Sequence, residues 1–261
     1  MSDVSHDGVR MVALQIDDYG PWTTTPEPRR ETDLQALQSR LFATVADFFT
    51  QFDGYAFADR YDNMIGVANE SDPTAFERLQ TQIENQYPVT VSVGVGTAET
   101  PRRALEAANS VLQRAGSAQD ADRTAVLDHR TVGDTVPGAV TVAHFDVVDA
   151  TGTLTDQVSS AEAGHTIRRA ALDLREQLWE RYDAVTQFVG GDNVIAVCPS
   201  LTPSTLGEIN DHVRESTGVE LQVGLGRGPT AHAAGDDAKH ALEHCRATGE
   251  RIHAAFGLVE R

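Results

Sequence analysis

Cysteine is scarce in this sequence, and long apolar runs are missing. The two cysteines, Cys198 and Cys245, belong to no CxxC motif and to no Cys/His cluster with zinc-ligand spacing. This excludes a disulfide scaffold and a zinc site built on thiolates. No run reaches the roughly 18 apolar residues of a membrane-spanning helix, and the start MSDVSHDGVR lacks the basic and apolar regions of a signal peptide. We therefore expect a cytoplasmic chain with no membrane partner.

Basic residues are also few, and lysine is almost absent. The sequence has 39 acidic and 21 basic residues, a formal net charge of -18, and Lys239 is its single lysine. Such a charge repels polyanions, which argues against nucleic acid as a partner unless a local basic patch exists. Acids spread along a lysine-poor chain are typical of proteins from salt-in halophiles, where salt screens self-repulsion. The charge thus indicates adaptation to the solvent rather than a substrate.

The two halves of the sequence resemble each other. RYDNMIGVA, residues 60–68, aligns with GGDNVIAVC, residues 190–198, at an offset of 130, and the same offset places VSVGVGTAETP on LQVGLGRGPTA. An offset of 129 aligns Asp17 with Asp146. Three blocks in the same order at nearly one offset indicate a tandem duplication.

Hydrophobic periodicity predicts the same elements in both halves. In the first half we expect a helix that begins at Thr32 with a capping box to Gln35; in the second, Ser159 and Glu162 cap a helix that ends at Tyr182. The other predicted elements of the first half are strands over 9–17 and 89–95, a hairpin over 55–68, and helices over 73–86 and 101–115. This order predicts an α+β fold, a tandem duplication of a ferredoxin-like, palm βαββαβ domain with antiparallel sheets and helices on one face. The predicted domains are 1–118 and 138–261, joined by a polar linker over 119–137.

Two aspartates of the second half are candidate metal ligands. On this topology the first strand and the hairpin lie side by side, so Asp146 at the end of one and Asp192 at the tip of the other can converge. Two oxygen ligands without histidine or cysteine suit Mg²⁺ rather than zinc. Gly190 and Gly191 would allow a phosphate to approach the backbone closely, although turn chemistry alone also explains a glycine pair.

Four motifs resemble the archaeal GTP cyclohydrolase III family, also called GTP cyclohydrolase IIa. They are LQIDDYGPWTTTPEPRRETDLQALQSRL, GSAQD, DATGTLTD and GGDN, which begin at residues 14, 116, 149 and 190. The resemblance to this family covers essentially the whole chain. FDVVDATGTLTD and VGGDNVIAV are also similar to the metal motifs of palm-type nucleotidyl cyclases. The resemblance to the cyclohydrolase family implies a Mg²⁺-dependent enzyme that opens the imidazole ring of GTP. The product would be 2-amino-5-formylamino-6-(5-phospho-D-ribosylamino)pyrimidin-4(3H)-one, with release of two phosphates, for flavin and deazaflavin biosynthesis.

The expected cofactors are two Mg²⁺ ions, which can neutralise and orient a triphosphate, and a monovalent cation such as K⁺, which the resemblance implies. We expect GTP as the ligand and a homo-oligomer as the assembly. Two other function classes stay open: a diguanylate-type nucleotidyl cyclase and a non-catalytic GTP-sensing module. Asn193, which ends the GGDN motif, departs from the acidic-aromatic pair of diguanylate cyclases.

The second half is expected to hold the working site. Both halves keep the aspartate pair, but Arg60 and Tyr61 replace the two glycines in the first half and would obstruct a phosphate. ALEHCRATG, residues 241–249, is similar to the cyclase stretch whose basic residue binds the triphosphate, which assigns that role to Arg246. Its counterpart in the first half is Gly116. Asp146 and Asp192 are thus the expected catalytic residues, with Gly190, Gly191 and Asn193 beside the nucleotide.

The stretch DDYGPWTTTPEPRRE, residues 17–31, is longer than most connections between a strand and a helix. It is either a rigid surface loop or oligomer contact, or a part of the substrate site. In the second case Trp22 could stack on guanine, and Arg29 or Arg30 could contact phosphate. Ring opening also requires a general acid or base, for which His144, His165 and Tyr19 are the candidates.

Overall fold

The computed structural model describes residues 6–120, 123–150, 152 and 156–255. The chain divides into two compact units, Met1–Gly138 and Ala139–Arg261. Among the described helices, none combines the length and the apolar character that crossing a membrane would require.

The first unit is built on a mixed sheet. Its elements are β1 His6–Ile16, α1 Tyr19–Thr24, α2 Glu31–Phe49, β2 Tyr55–Ala58, β3 Asn63–Val67, α3 Phe76–Gln86, β4 Val91–Ala98, α4 Pro101–Arg114, β5 Leu127–Thr131 and β6 Thr135–Pro137. β1 lies inside the sheet, antiparallel to β3 and β4, and the order of the main path is β2-β3-β1-β4-β5. β5 runs parallel to β4, and β6 runs parallel to the start of β1.

The second unit repeats the main path of this sheet. Its elements are β7 Val140–Val147, α5 Ser160–Tyr182, β8 Val185–Gly190, β9 Asn193–Cys198, α6 Pro203–Thr217, β10 Leu221–Gly228, α7 Ala231–Thr248 and β11 Ile252–Ala254. The order of its sheet is β11-β10-β7-β9-β8, in which β7 takes the place of β1 and β11 the place of β5, while β6 has no counterpart among the described residues. The α+β duplication predicted from the sequence is therefore confirmed, with two more strands in the first half, β5 and β6, and one more in the second, β11.

Helices lie on both faces of each sheet, rather than on the single face that was expected. Val223 and Leu225 of β10 pack into the core under α5 and α6. Between them, Gly224 points the other way, and a Cβ there would lie 2.0 Å from the carbonyl oxygen of Ala238 in α7. The alternate glycines therefore let α7 lie directly on the opposite face. Gly94 and Gly96 of β4 do the same for α4 in the first unit.

Three local predictions differ from the structure. Residues 119–137, predicted as a linker, contain β5 and β6; β5 has mostly exposed side chains and is held by backbone pairing with β4, which needs no apolar alternation. The first part of the stretch 17–31 forms α1 rather than a loop. α2 is capped by Arg30 without a side-chain hydrogen bond, so the capping box at Thr32 is wrong. The Ser159 cap is confirmed, because its hydroxyl accepts a hydrogen bond from the Glu162 amide at 3.3 Å.

Candidate active site

Asp146 lies near the end of β7, on the face of the sheet that α7 covers. Phe145 and Val147 point into the core under α5 and α6. Because side chains alternate along a strand, those of His144 and Asp146 point to the opposite face, towards α7. Asp146 is 6% exposed and is paired across the sheet with Gln222 of β10. A carboxylate buried this far needs polar partners, because burial of an unpaired charge is costly.

The β8–β9 hairpin carries Asp192 at its tip. Gly190 and Gly191 have φ values of 114° and 64°, a region that favours glycine, and they form the turn that precedes Asp192. The side chain of Asn193 donates a hydrogen bond from Nδ2 to Oδ1 of Asp192 at 3.1 Å. Its Oδ1 lies 3.0 Å from Nε2 of His144 on β7, so the tip is tied to the strand that carries Asp146.

The two carboxylates of this site interact with each other. Burial raises the pKa of Asp146 above its usual value; the negative charge of Asp192 and a hydrogen bond with it raise the pKa further, whereas Arg246 lowers it. Neighbouring carboxylates that resist joint ionisation are stabilised by a cation between them. The donor set of two carboxylates, without thiolate, therefore fits Mg²⁺.

Arg246 of α7 contacts one carboxylate of this pair. Arg246 donates to Oδ2 of Asp146 from Nη2 at 2.7 Å, and its guanidinium also contacts Glu243. The hydrogen bond to Asp146 raises the pKa of Arg246. Lys239, two helical turns earlier, is close enough for its charge to affect His144, whose pKa is lowered first by burial and then by Lys239 and Arg246. The effect of Lys239 on His144 was not predicted from the sequence, although a single lysine seven residues before Arg246 on one helix could have indicated it.

The equivalent aspartate of the first unit has its partners within that unit. Asp17 accepts hydrogen bonds from the hydroxyls of Ser92 at 2.7 Å and Thr90 at 3.0 Å. Nε of Arg123 lies 3.4 Å from its Oδ1, and both side chains are only 2% exposed. Asp62, the counterpart of Asp192, forms an ion pair with Arg60 at 2.9 Å. Both carboxylates of the first unit are thus neutralised by arginines.

The hairpin tip of the first unit keeps the turn but carries side chains. Tyr61 has a φ of 64°, the same value as Gly191, and it is 51% exposed. The two units therefore share the left-handed backbone at this second position, whereas Arg60 lacks the positive φ of its counterpart Gly190, and bulky side chains replace the two glycines. Gly116, the counterpart of Arg246, provides no cation.

The residues proposed for guanine stacking and phosphate contact lie together in the first unit. The guanidinium carbon of Arg29 lies 3.9 Å from the centroid of the Trp22 ring, and its Nε donates to the Trp22 carbonyl at 2.8 Å. Trp22, Arg29 and Arg30 line a groove of about 1080 Å³ together with Tyr87. Within this unit, one face of Trp22 is already covered by Arg29.

Of the three candidates for proton transfer, His144 is the one that lies beside Asp146 and Asp192. His165 is exposed on α5, which packs on the other face of the sheet. Tyr19 belongs to the first unit, where its hydroxyl accepts a hydrogen bond from Gln38 at 2.8 Å. In the motif DATGTLTD, residues 151 and 153–155 lie outside the described residues.

Comparisons with known proteins indicate the family of the chain. The model of the family described as GTP cyclohydrolase III matches residues 11–259. The chain is 62% identical to GTP cyclohydrolase III 2 of Halobacterium salinarum over 252 residues, which cover 96% of this chain and 100% of the relative. It is 41% identical to GTP cyclohydrolase III of Methanocaldococcus jannaschii over 240 residues, 91% of this chain and 88% of that protein.

Solved structures with a partial likeness include the GGDEF domain of DgcB from Caulobacter crescentus in complex with c-di-GMP. That similarity has a TM-score of 0.39 at 20% identity and covers 45% of this chain and 78% of that one. The GGEEF domain of a diguanylate cyclase from Vibrio cholerae has a TM-score of 0.37 at 13% identity, with 46% and 85% coverage. TM-scores this low carry no argument about function.

Proposed function

The chain belongs to the GTP cyclohydrolase III family, and from this premise we propose that it opens the imidazole ring of GTP at the Asp146–Asp192 site of its second unit. The product would be 2-amino-5-formylamino-6-(5-phospho-D-ribosylamino)pyrimidin-4(3H)-one together with two phosphates. Such a product suits flavin and deazaflavin biosynthesis. The enzyme would require two Mg²⁺ ions and would be activated by a monovalent cation such as K⁺.

One observation carries the choice of site. Asp146 interacts with Asp192 and is paired with one half-exposed arginine, Arg246, whereas Asp17 of the first unit is enclosed by two hydroxyls and a buried arginine. A carboxylate that is itself buried and enclosed by its own partners cannot take up a solvated ion without losing them. The second unit therefore has the carboxylates that are available for a metal, as expected if the first unit is a modified copy.

Asp146 and Asp192 would hold the Mg²⁺, and Gly190 and Gly191 would leave room for the triphosphate above the turn. Bound Mg²⁺ would neutralise the phosphate oxygens and polarise the phosphorus that water attacks. Arg246 would exchange Asp146 for a phosphate oxygen, since an arginine fork binds both anions. His144 would keep Asn193, and through it Asp192, in a fixed orientation.

Ring opening is a second hydrolysis at the base. Water adds to C8 of guanine, the C8–N9 bond breaks, the carbon stays on N7 as a formyl group, and N9 takes up a proton. The donor of that proton should lie near the base edge. A role for Trp22, Arg29 or Arg30 in holding the base is part of the proposal, as is a homo-oligomeric assembly.

The test is an assay of the purified chain with GTP, Mg²⁺ and high KCl. Ultraviolet spectra follow the loss of the purine chromophore, and a phosphate assay counts the phosphates released per GTP. The proposal predicts that both signals appear together and that both need Mg²⁺. A cyclic nucleotide product would refute it in favour of a cyclase, and binding without turnover in the presence of Mg²⁺ and K⁺ would refute it in favour of a GTP-sensing module.

A further inference from the structure

A second cluster of metal-binding side chains lies at the end of α7, outside the carboxylate pair. Nε2 of His244 and Nδ1 of His253 each lie 3.5 Å from the same oxygen, Oε2 of Glu250. All three ligand atoms lie within 4.8 Å of one another, and the two imidazole rings are 3.9 Å apart. Among the described residues, these three form the one group of at least three His, Cys, Asp or Glu side chains that is compact enough to hold a metal ion.

The backbone explains why three residues from two elements meet here. α7 ends at Thr248, and Gly249, with a φ of 79°, donates from its amide to the Cys245 carbonyl at 2.8 Å. This left-handed cap reverses the chain direction. β11 then pairs with β10 in parallel, which places His253 opposite Gly224 and above the last turn of α7. Both histidines are therefore held by regular structure.

We propose that His244, Glu250 and His253 form a binding site for a divalent transition cation of the Zn²⁺ class. In a tetrahedral site with bonds of about 2.1 Å, two ligand atoms lie about 3.4 Å apart. The two histidine–glutamate distances of 3.5 Å already match this value. The side chains are partly exposed, which leaves the remaining position of the metal open to water.

The donor set separates this site from the Mg²⁺ site of the same unit. Imidazole nitrogens favour Zn²⁺, Ni²⁺ or Cu²⁺ over Mg²⁺, which prefers oxygen ligands. An excess of Mg²⁺ should therefore leave Zn²⁺ bound at the histidine cluster. A bound metal would connect β11 to the end of α7. That end of α7 also carries Arg246, two residues after His244. The site does not depend on the proposed function, because none of its three ligands is assigned to the carboxylate pair or to the nucleotide.

The test is isothermal titration of untagged, full-length, chelator-treated protein with Zn²⁺ in high KCl with excess Mg²⁺. We expect one tight site per chain in the wild type. His253→Ala and His244→Ala should each weaken it by more than about tenfold, because loss of a direct ligand costs at least as much as loss of an outer partner. Substitution of Co²⁺ should give the visible absorption of a four-coordinate site.

His232→Ala is the matched control. His232 lies on the same helix and pairs with an acid, Asp236, at 3.3 Å, but it belongs to no such group of three in the described part of the chain. Its substitution should leave Zn²⁺ affinity unchanged. The proposal fails if the wild type takes up no Zn²⁺ under these conditions, or if the His244→Ala and His253→Ala variants bind it as tightly as the control. Asp146→Asn should retain the site, so the outcome is independent of the carboxylate pair.

Discussion

Nη2 of Arg246 lies 2.7 Å from Oδ2 of Asp146, so a residue expected to bind triphosphate is paired with an expected metal ligand. The first unit has a similar pair, Arg123 and Asp17, but both of those side chains are 2% exposed, whereas Arg246 is 42% exposed. A half-exposed arginine can exchange one anion for another while it remains solvated, and a buried one cannot. Substitution of Asp146 should therefore impair activity rather than stability, and substitution of Asp17 should impair stability rather than activity.

Asp146→Asn and Asp192→Asn should each abolish or nearly abolish GTP turnover. Both changes remove a carboxylate that we assign to Mg²⁺. Folding should survive, because burial and Asp192 already disfavour the charged form of Asp146. Initial rates and melting curves of both variants check this. Near-normal turnover in either variant would contradict the assignment.

Asp17→Asn should instead destabilise the protein and spare its chemistry. The change leaves the buried Arg123 without its counter-charge, which typically costs about 3 kcal/mol. Asp62→Asn is the control, since Asp62 pairs with the exposed Arg60 and should change stability by less than about 1 kcal/mol. Denaturant unfolding and turnover per folded molecule are the measurements. A stable but inactive Asp17→Asn variant would move the active site to the first unit.

Arg246→Ala should weaken apparent GTP affinity by about tenfold or more. This corresponds to the 1.5 to 3 kcal/mol typical of a hydrogen bond to a charged group. The GTP affinity of Arg246→Lys should lie between those of the wild type and Arg246→Ala, because lysine keeps the charge but not the planar fork. Titration with GTP at low and molar KCl is the measurement, and the loss should persist in high salt because a partly buried contact is screened less. Unchanged affinity at both salt concentrations would return Arg246 to an ordinary surface ion pair.

The sequence predicted the duplicated fold because its signals were repeated. Asp192 and Asp62 lie at matching hairpin tips, and the apolar stripes recur at nearly one offset. Edge strands escaped prediction because β5 and β11 are short, carry partly or fully exposed side chains and are held by backbone pairing. Their existence depends on the neighbouring strand rather than on their own pattern.

Partners distant in sequence were the other limit. Asp17 meets Thr90 and Ser92, which are 73 and 75 residues away, and the intervening segment gives no local sign of the contact. The same holds for His144, which meets Asn193 only because β7 and β9 are adjacent in the sheet. Repeat alignment identified which acids correspond, but it could not reveal that one of them is enclosed.

Both cysteines should be unreactive in the folded protein. Burial raises the pKa of Cys198 to about 12 and that of Cys245 to about 11. Because the raised pKa favours the thiol, the reactive thiolate is nearly absent at pH 8. An aromatic disulfide reagent should therefore label no thiol at pH 8 before unfolding and two afterwards. Rapid labelling of the native protein would contradict this packing.

The raised pKa values also affect stability with a definite sign. The free energy of unfolding should fall as pH rises from about 9 towards 12, because the unfolded chain loses these protons first.

His144→Gln should keep most of the activity, whereas His144→Ala should lose it. The first unit provides the reason: Gln15 stands where His144 stands in the second unit, and its Nε2 donates to Oδ1 of Asn63 at 3.2 Å, as His144 contacts Asn193 at 3.0 Å. Glutamine can therefore hold the asparagine that orients the hairpin tip, while it cannot transfer a proton. Single-turnover rates separate the two roles, with the GTP affinity measured alongside. If His144 only positions Asn193, the glutamine variant should stay within about tenfold of wild type, since loss of general acid–base catalysis costs about 10²–10⁴-fold. Equal inactivity of the glutamine and alanine variants, with GTP affinity retained, would make His144 the proton-transfer group instead.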